Sequence, residues 1–168
     1  DVVSYDDQHG YKIVGRDSFF LKRGGERRPP EEFEKAIKRA APAVKDAMVI
    51  PFHVGEGTAN EKAVAVVVSE DPAVTEESIK ASMAALRTEG LPRWAVPDHI
   101  LVLNQPAMPA RFDNGFKRDA GYKLIKKFVQ DLLAKNAVEL VDKTETTGSA
   151  TVVRDEKAFA EVLAQYNG

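Results

Sequence analysis

The sequence predicts an α+β fold: a small N-terminal β-hairpin, then a central sheet of about three strands flanked by helices, with a C-terminal strand/helix extension. Three observations carry this expectation. Ala47 to Val54 and Ala63 to Ser69 are near-continuous apolar runs with almost no alternation, the pattern of strands covered on both faces. Apolar residues recur at helical spacing in Phe33/Ile37, in Ile79/Met83/Leu86 and in Leu124 or Ile125/Phe128/Leu132, so helices are available to cover such a sheet. At 168 residues, with 43% hydrophobic and 30% charged residues, the chain is long enough for about one domain with a core of its own.

Asp6-Asp7 with Gly10 marks a hairpin turn leading into Tyr11. Tyr11 to Val14 and Phe19 to Lys22 are β-prone runs separated by Gly15-Arg16-Asp17-Ser18, which reads as two short antiparallel strands around a turn. Gly24-Gly25 ends the second. Pro29-Pro30 followed by Glu31-Glu32 puts proline at a helix entrance and carboxylates in its first turn, where free N–H groups and the macrodipole favour them. Pro51 inside the first apolar run points to an edge strand or a bulge. Thr75-Glu76-Glu77-Ser78 caps a second helix, which ends at Gly90. Leu91 to Pro97 is a stiff connector into a short strand, Asp98 to Leu103, and its Trp94 is expected to serve packing. Residues 105–118 have no hydrophobic period, and a third helix runs from Asp119 to about Lys135. Beyond Asn136 come a strand at Val138 to Val141, a Thr/Gly-rich turn, a second run Thr151 to Arg154, and a helix carrying Phe159, Val162, Leu163 and Tyr166. One domain is therefore expected over 1–135, with 1–24 its hairpin and 25–135 its sheet and helices. Residues 136–168 form an extension to which the sequence assigns no role.

A net charge of -2 gives no bulk attraction to nucleic acid or to an anionic membrane. With no cysteine there is no disulfide framework, thiolate metal site or cysteine nucleophile, and a reducing, cytoplasmic setting is the expectation. No apolar run approaches the roughly 20 residues of a membrane span. His9, His53 and His99 lie far apart, without metal-ligand spacing to carboxylates, so no metal site is expected.

The order Gly-Tyr, Val-Gly-Arg, a β-prone run ending in lysine, Gly-Glu-Arg and Pro-x-Glu-x-Glu, gapless from Tyr11 to Glu34, resembles the opening of the C-terminal domain of the AMP-forming acyl-CoA synthetases, the adenylate-forming superfamily. The resemblance implies roles. Asp1 matches the aspartate that binds the adenylate ribose, Arg16 the arginine beside it, and Gly24-Gly25 the loop against which pantetheine lies. The family's Gly-Arg-x-Asp-Asp hinge falls where Ser18 and Phe19 stand here, with Asp17 one step early, so Asp17 and Ser18 are the hinge candidates. After Met108-Pro109, the loop is similar to the family's final Pro-x-Thr-x-x-Gly-Lys motif, with Phe116 intervening between Gly115 and Lys117 as in the fatty-acyl branch. Lys117 is thus the catalytic candidate, and Arg111, Arg118 and Lys123 are its neighbouring cations. A lysine suits the chemistry because charge builds up on the α-phosphate as pyrophosphate leaves, and a compact cation aimed there favours the transition state over the ground state.

The implied function is the mobile C-terminal domain of an ATP-dependent carboxylate-CoA ligase, an acid-thiol ligase acting on a fatty or related acyl acid. ATP or AMP, Mg2+ and CoA belong to the full-length enzyme, and none is expected to bind tightly here. The expected partners are a missing N-terminal domain of the same enzyme, the acyl acid and CoA, with no nucleic acid and no transmembrane segment. Because the chain opens at Asp1, where the resemblance expects the middle of an enzyme, it reads as a fragment, inactive on its own. Two alternatives share these residues: an adenylation domain that loads a carrier-protein thiol, and a non-catalytic binding module using Lys22, Arg23, Arg27 and Arg28. Glu26, Glu31 and Glu32 largely neutralise that basic cluster.

Overall fold

A computed structural model describes residues 2–15, 20–23, 26–53, 61–103, 118–141 and 152–166. At its centre is a three-stranded mixed sheet of order β5-β6-β7, with β5 at Asp46–His53, β6 at Glu61–Val68 and β7 at His99–Leu103. β5 and β6 are antiparallel, whereas β7 runs parallel to β6 after a helical crossover. Pro51 lies in β5, an edge strand, where a missing ladder donor is tolerated.

The apolar runs lack alternation because the sheet is buried on both faces. Met48, Ile50, Val64, Val66, Leu101 and Leu103 point to one face, and Val49, Ala65, Val67, Ile100 and Val102 to the other. Over the second face pack α1, Pro30–Ala40, and α2, Glu76–Thr88, through Phe33, Ile37, Ile79 and Met83. Over the first pack α3, Arg118–Ala134, through Ile125, Phe128, Val129 and Leu132, and α4, Glu156–Ala164, through Phe159, Val162 and Leu163. The result is a helix–sheet–helix sandwich.

The helix ends follow their sequences. Pro30 opens α1, with Glu31 and Glu32 in its first turn. Thr75 and Ser78 form a reciprocal capping box on α2 at 3.1 and 2.9 Å, and Gly90 ends that helix at a φ of +108° that favours glycine. Asp155 caps α4 by accepting from Ala158 N–H at 3.0 Å.

At the N-terminus the hairpin turn expected at Asp6 to Gly10 is present, and one strand pairing differs from expectation. β2, Gly10–Gly15, pairs with β1, Val2–Asp6, around the Asp6 to Gly10 turn. It does not pair with the run ending at Lys22. That run supplies β3, Leu21–Arg23, which pairs with β4, Glu26–Arg28, so that Gly24-Gly25 joins two strands where the sequence had suggested the end of one. The reason lies in β4: Glu26-Arg27-Arg28 has no apolar residue to signal a strand, and it forms because Leu21 opposite Arg28 is buried in the core.

Residues beyond Asn136 are part of the packing. β8, Val138–Leu140, and β9, Val152–Arg154, form an antiparallel pair, and Val138, Val152, Phe159 and Tyr166 belong to the same apolar cluster as α3. Tyr166 also donates to Asp131 Oδ2 of α3.

Candidate functional site

Every site residue suggested by the sequence, Asp1, Arg16, Asp17, Ser18, Gly24, Gly25 and Lys117, lies outside the described residues. Their attachment points are described. Helix α1 runs antiparallel to β5: Lys38 Nζ is 3.5 Å from Asp46 Oδ1 at the start of that strand, and Glu34 reaches Val49 at its middle. The entrance of α1, and with it the β3–β4 pair that brackets Gly24-Gly25, therefore sits toward the His53 end of the sheet. Segment 104–117 leaves β7 at Leu103, level with Val68 and Asp46, and Lys117 at its other end adjoins Arg118, the first residue of α3.

The β3–β4 pair is fixed to the body by aromatic contacts. Arg28 Cζ lies 4.1 Å from the centre of the Trp94 ring, and Trp94 meets Phe33 edge-on at 5.9 Å. Arg28 is also ion-paired with Glu26 on its own strand. Its guanidinium is thus committed to structure, which weakens the reading of the basic cluster as a docking surface.

At the Leu103 end, an open cleft of about 340 Å3 is lined by Thr75, Glu76, Glu77, Val102, Val152, Arg154 and Glu156. On its wall Arg154 Nη2 is 3.3 Å from Glu76 Oε1, and the guanidinium lies over the Phe159 ring at 4.7 Å. The sequence gives no sign of this pair: its members are 78 positions apart, and the capping motif that contains Glu76 does not point to Arg154.

Ionisation is perturbed at few described groups. A hydrogen bond from the His9 ring at 3.0 Å, then one from the Gln8 N–H, hold Asp6 below the ordinary carboxylate value in the exposed β1–β2 turn. Burial lowers the Lys80 ammonium, with Asp98 opposing. No set of three His, Asp or Glu side chains among the described residues is placed to hold a metal, and no helix is long and apolar enough to cross a membrane.

No family model and no curated protein matches this chain. Solved structures do. Mycobacterium tuberculosis fatty acyl CoA synthetase superposes with a TM-score of 0.51 over 80% of this chain, at 24% identity. The o-succinylbenzoate CoA synthetase of Bacillus subtilis, in complex with its acyl-adenylate intermediate, superposes with a TM-score of 0.51 over 77%, at 22% identity. The chain has the fold of a segment of these CoA synthetases. It spans 23% of the length of either one. Identity this low makes the likeness one of architecture.

Proposed function

We propose that this chain is the mobile C-terminal domain of an AMP-forming carboxylate-CoA ligase acting on a fatty or related acyl acid. The observation that carries the reading is the coincidence of the Tyr11 to Glu34 motif order with the fold of a segment of two CoA synthetases. The reading includes a division of labour. Gly24-Gly25 follows β3 and Lys117 immediately precedes α3, and in this reading a single orientation of the domain serves a single half-reaction. In the first, Lys117 lies by the α-phosphate while carboxylate attacks ATP and pyrophosphate leaves. In the second, the domain turns, Gly24-Gly25 lines the path of the CoA pantetheine, and the thiol displaces AMP from the acyl carbonyl. Arg16 and Asp1 hold the ribose, and Asp17 and Ser18 take up the rotation. Mg2+ would shield the ATP phosphates, held by groups beyond the described residues.

The purified 168-residue chain is expected to give no ATP–pyrophosphate exchange with any carboxylic acid, because the larger domain supplies the phosphate-binding loop and acyl pocket. Turnover by this chain alone would sink the proposal. In the longer enzyme, Gly25→Trp is expected to lower thioester formation on the order of a hundredfold by misplacing pantetheine. Acyl-adenylate formation should stay near wild type. Equal loss in both half-reactions, followed as pyrophosphate release and as thioester formation from supplied acyl-AMP, would refute that division of labour.

A further inference from the structure

The two elements that bound segment 104–117 are both held by residues near the C-terminus. On one side is β7, which ends at Leu103. Arg154 of β9 donates from Nη2 to the carbonyl of Val102, the residue before that end. It is also ion-paired with Glu76, whose Oε1 accepts from the Val102 N–H at 3.4 Å. On the other side is α3, which begins at Arg118, one residue after Lys117. Phe159 and Tyr166 close edge-on over its Phe128, and the Tyr166 hydroxyl donates to Asp131.

The link from α3 into this C-terminal part is itself tight. Asn136 has a φ of +53°, and the N–H groups of Asn136 and Ala137 return to the carbonyls of Leu133 and Leu132 at 3.1 and 2.8 Å, a Schellman turn. Asp155 N–H then donates to Ala137 C=O at 2.9 Å. The described parts of α3, β8, β9 and α4 thus pack as one body, and Arg154 fastens it to the last residues of β7.

We propose that this C-terminal part is a brace that sets the direction of α3, and that Arg154 is a positioning residue for Lys117; the inference rests on the proposed function. The helix acts as a lever. A tilt of about 5° at Phe128 moves the start of α3, roughly 15 Å away, by about 1.3 Å. A misplacement of about 1 Å can lower a rate on the order of a hundredfold when a catalytic group must meet a reacting centre. The brace acts on one half-reaction because it packs on one face. Val138, Val152, Phe159 and Tyr166 lie in the apolar cluster of the first face of the sheet, whereas Leu21 of β3, the strand before Gly24-Gly25, lies in the cluster of the second.

The test uses the longer enzyme. Arg154→Met keeps an aliphatic side chain over Phe159 and loses both polar contacts, while the open cleft beside it lets water reach Glu76. The kcat for acyl-adenylate formation is expected to fall about tenfold to a hundredfold. KM for ATP and for the acid should stay near wild type, as should thioester formation from supplied acyl-AMP. Arg154→Lys, which can still donate to Val102 C=O and pair with Glu76, is expected to recover most of the lost rate. A folded Arg154→Met enzyme that adenylates normally overturns the brace, as does equal loss in both half-reactions or a lysine variant no better than the methionine one. If Arg154→Met fails to fold, Tyr166→Phe decides, because it loses only the hydroxyl bonded to Asp131. Selective loss of adenylation there supports the brace, and any other result overturns it. Lys117→Ala keeps the two failures apart: normal adenylation by that variant refutes the role of Lys117, whereas its loss beside an unaffected Arg154→Met refutes the brace alone.

Discussion

Lys117→Ala, in the longer enzyme implied by the proposed function, is expected to depress acyl-adenylate formation on the order of a hundredfold to a thousandfold. This is the effect of losing one transition-state contact of about 2.7–4 kcal/mol. Thioester formation from supplied acyl-AMP should stay near wild type, because no phosphate gains charge in that step. Arg111, Arg118 and Lys123 are the rival cations. Arg118 is the first residue of α3, and Lys123 is exposed within that helix, one to two turns in. The same alanine change at all four positions, with pyrophosphate release and thioester formation measured separately, assigns the role. Normal adenylation by Lys117→Ala with loss in Arg111→Ala or Arg118→Ala would move the motif. Indifference at all four would remove the adenylation role from this segment.

Phe128→Ala is expected to destabilise the 168-residue chain by about 3–5 kcal/mol, the range for emptying an aromatic core site. The side chain is fully buried and meets Phe159 at 6.1 Å and Tyr166 at 5.2 Å, both edge-on. Its removal takes contacts from the sheet face and from the C-terminal helix at once. A domain of this size has only about 5–15 kcal/mol in hand, so much of the stability is at stake. Urea unfolding checks it: a midpoint within error of wild type would mean that α4 does not depend on this contact.

The central architecture was legible because burial on both faces leaves an unmistakable mark. β5, β6 and the caps of α1 and α2 stand within a residue or two of where apolar runs, Pro30, Thr75 and Gly90 put them. Near the N-terminus the Asp6 to Gly10 turn was legible, but that β2 would not also pair with the run ending at Lys22 was not. Tyr11 to Val14 has β-prone neighbours on both sides, and the choice of β1 over β3 leaves Tyr5 and Tyr11 paired on an exposed ribbon with ring centres 5.0 Å apart. No periodicity encodes that choice. The packing of Phe159 and Tyr166 onto α3 and the Glu76–Arg154 pair were hidden for a related reason: each depends on residues far apart in sequence. The candidate site was legible only as motif: its residues lie outside the described elements.

The stacking of Arg28 on Trp94 gives the molecule a built-in optical probe. Trp94 is the sole tryptophan of the chain, so indole emission has a single source, and that source is wedged between the β3–β4 pair and α1. Intrinsic fluorescence therefore watches the seating of the small strand pair, while far-ultraviolet dichroism watches the sandwich as a whole. Where the two signals part company during denaturation, the strand pair and the core are separate cooperative units. No dye or added label is needed to see it.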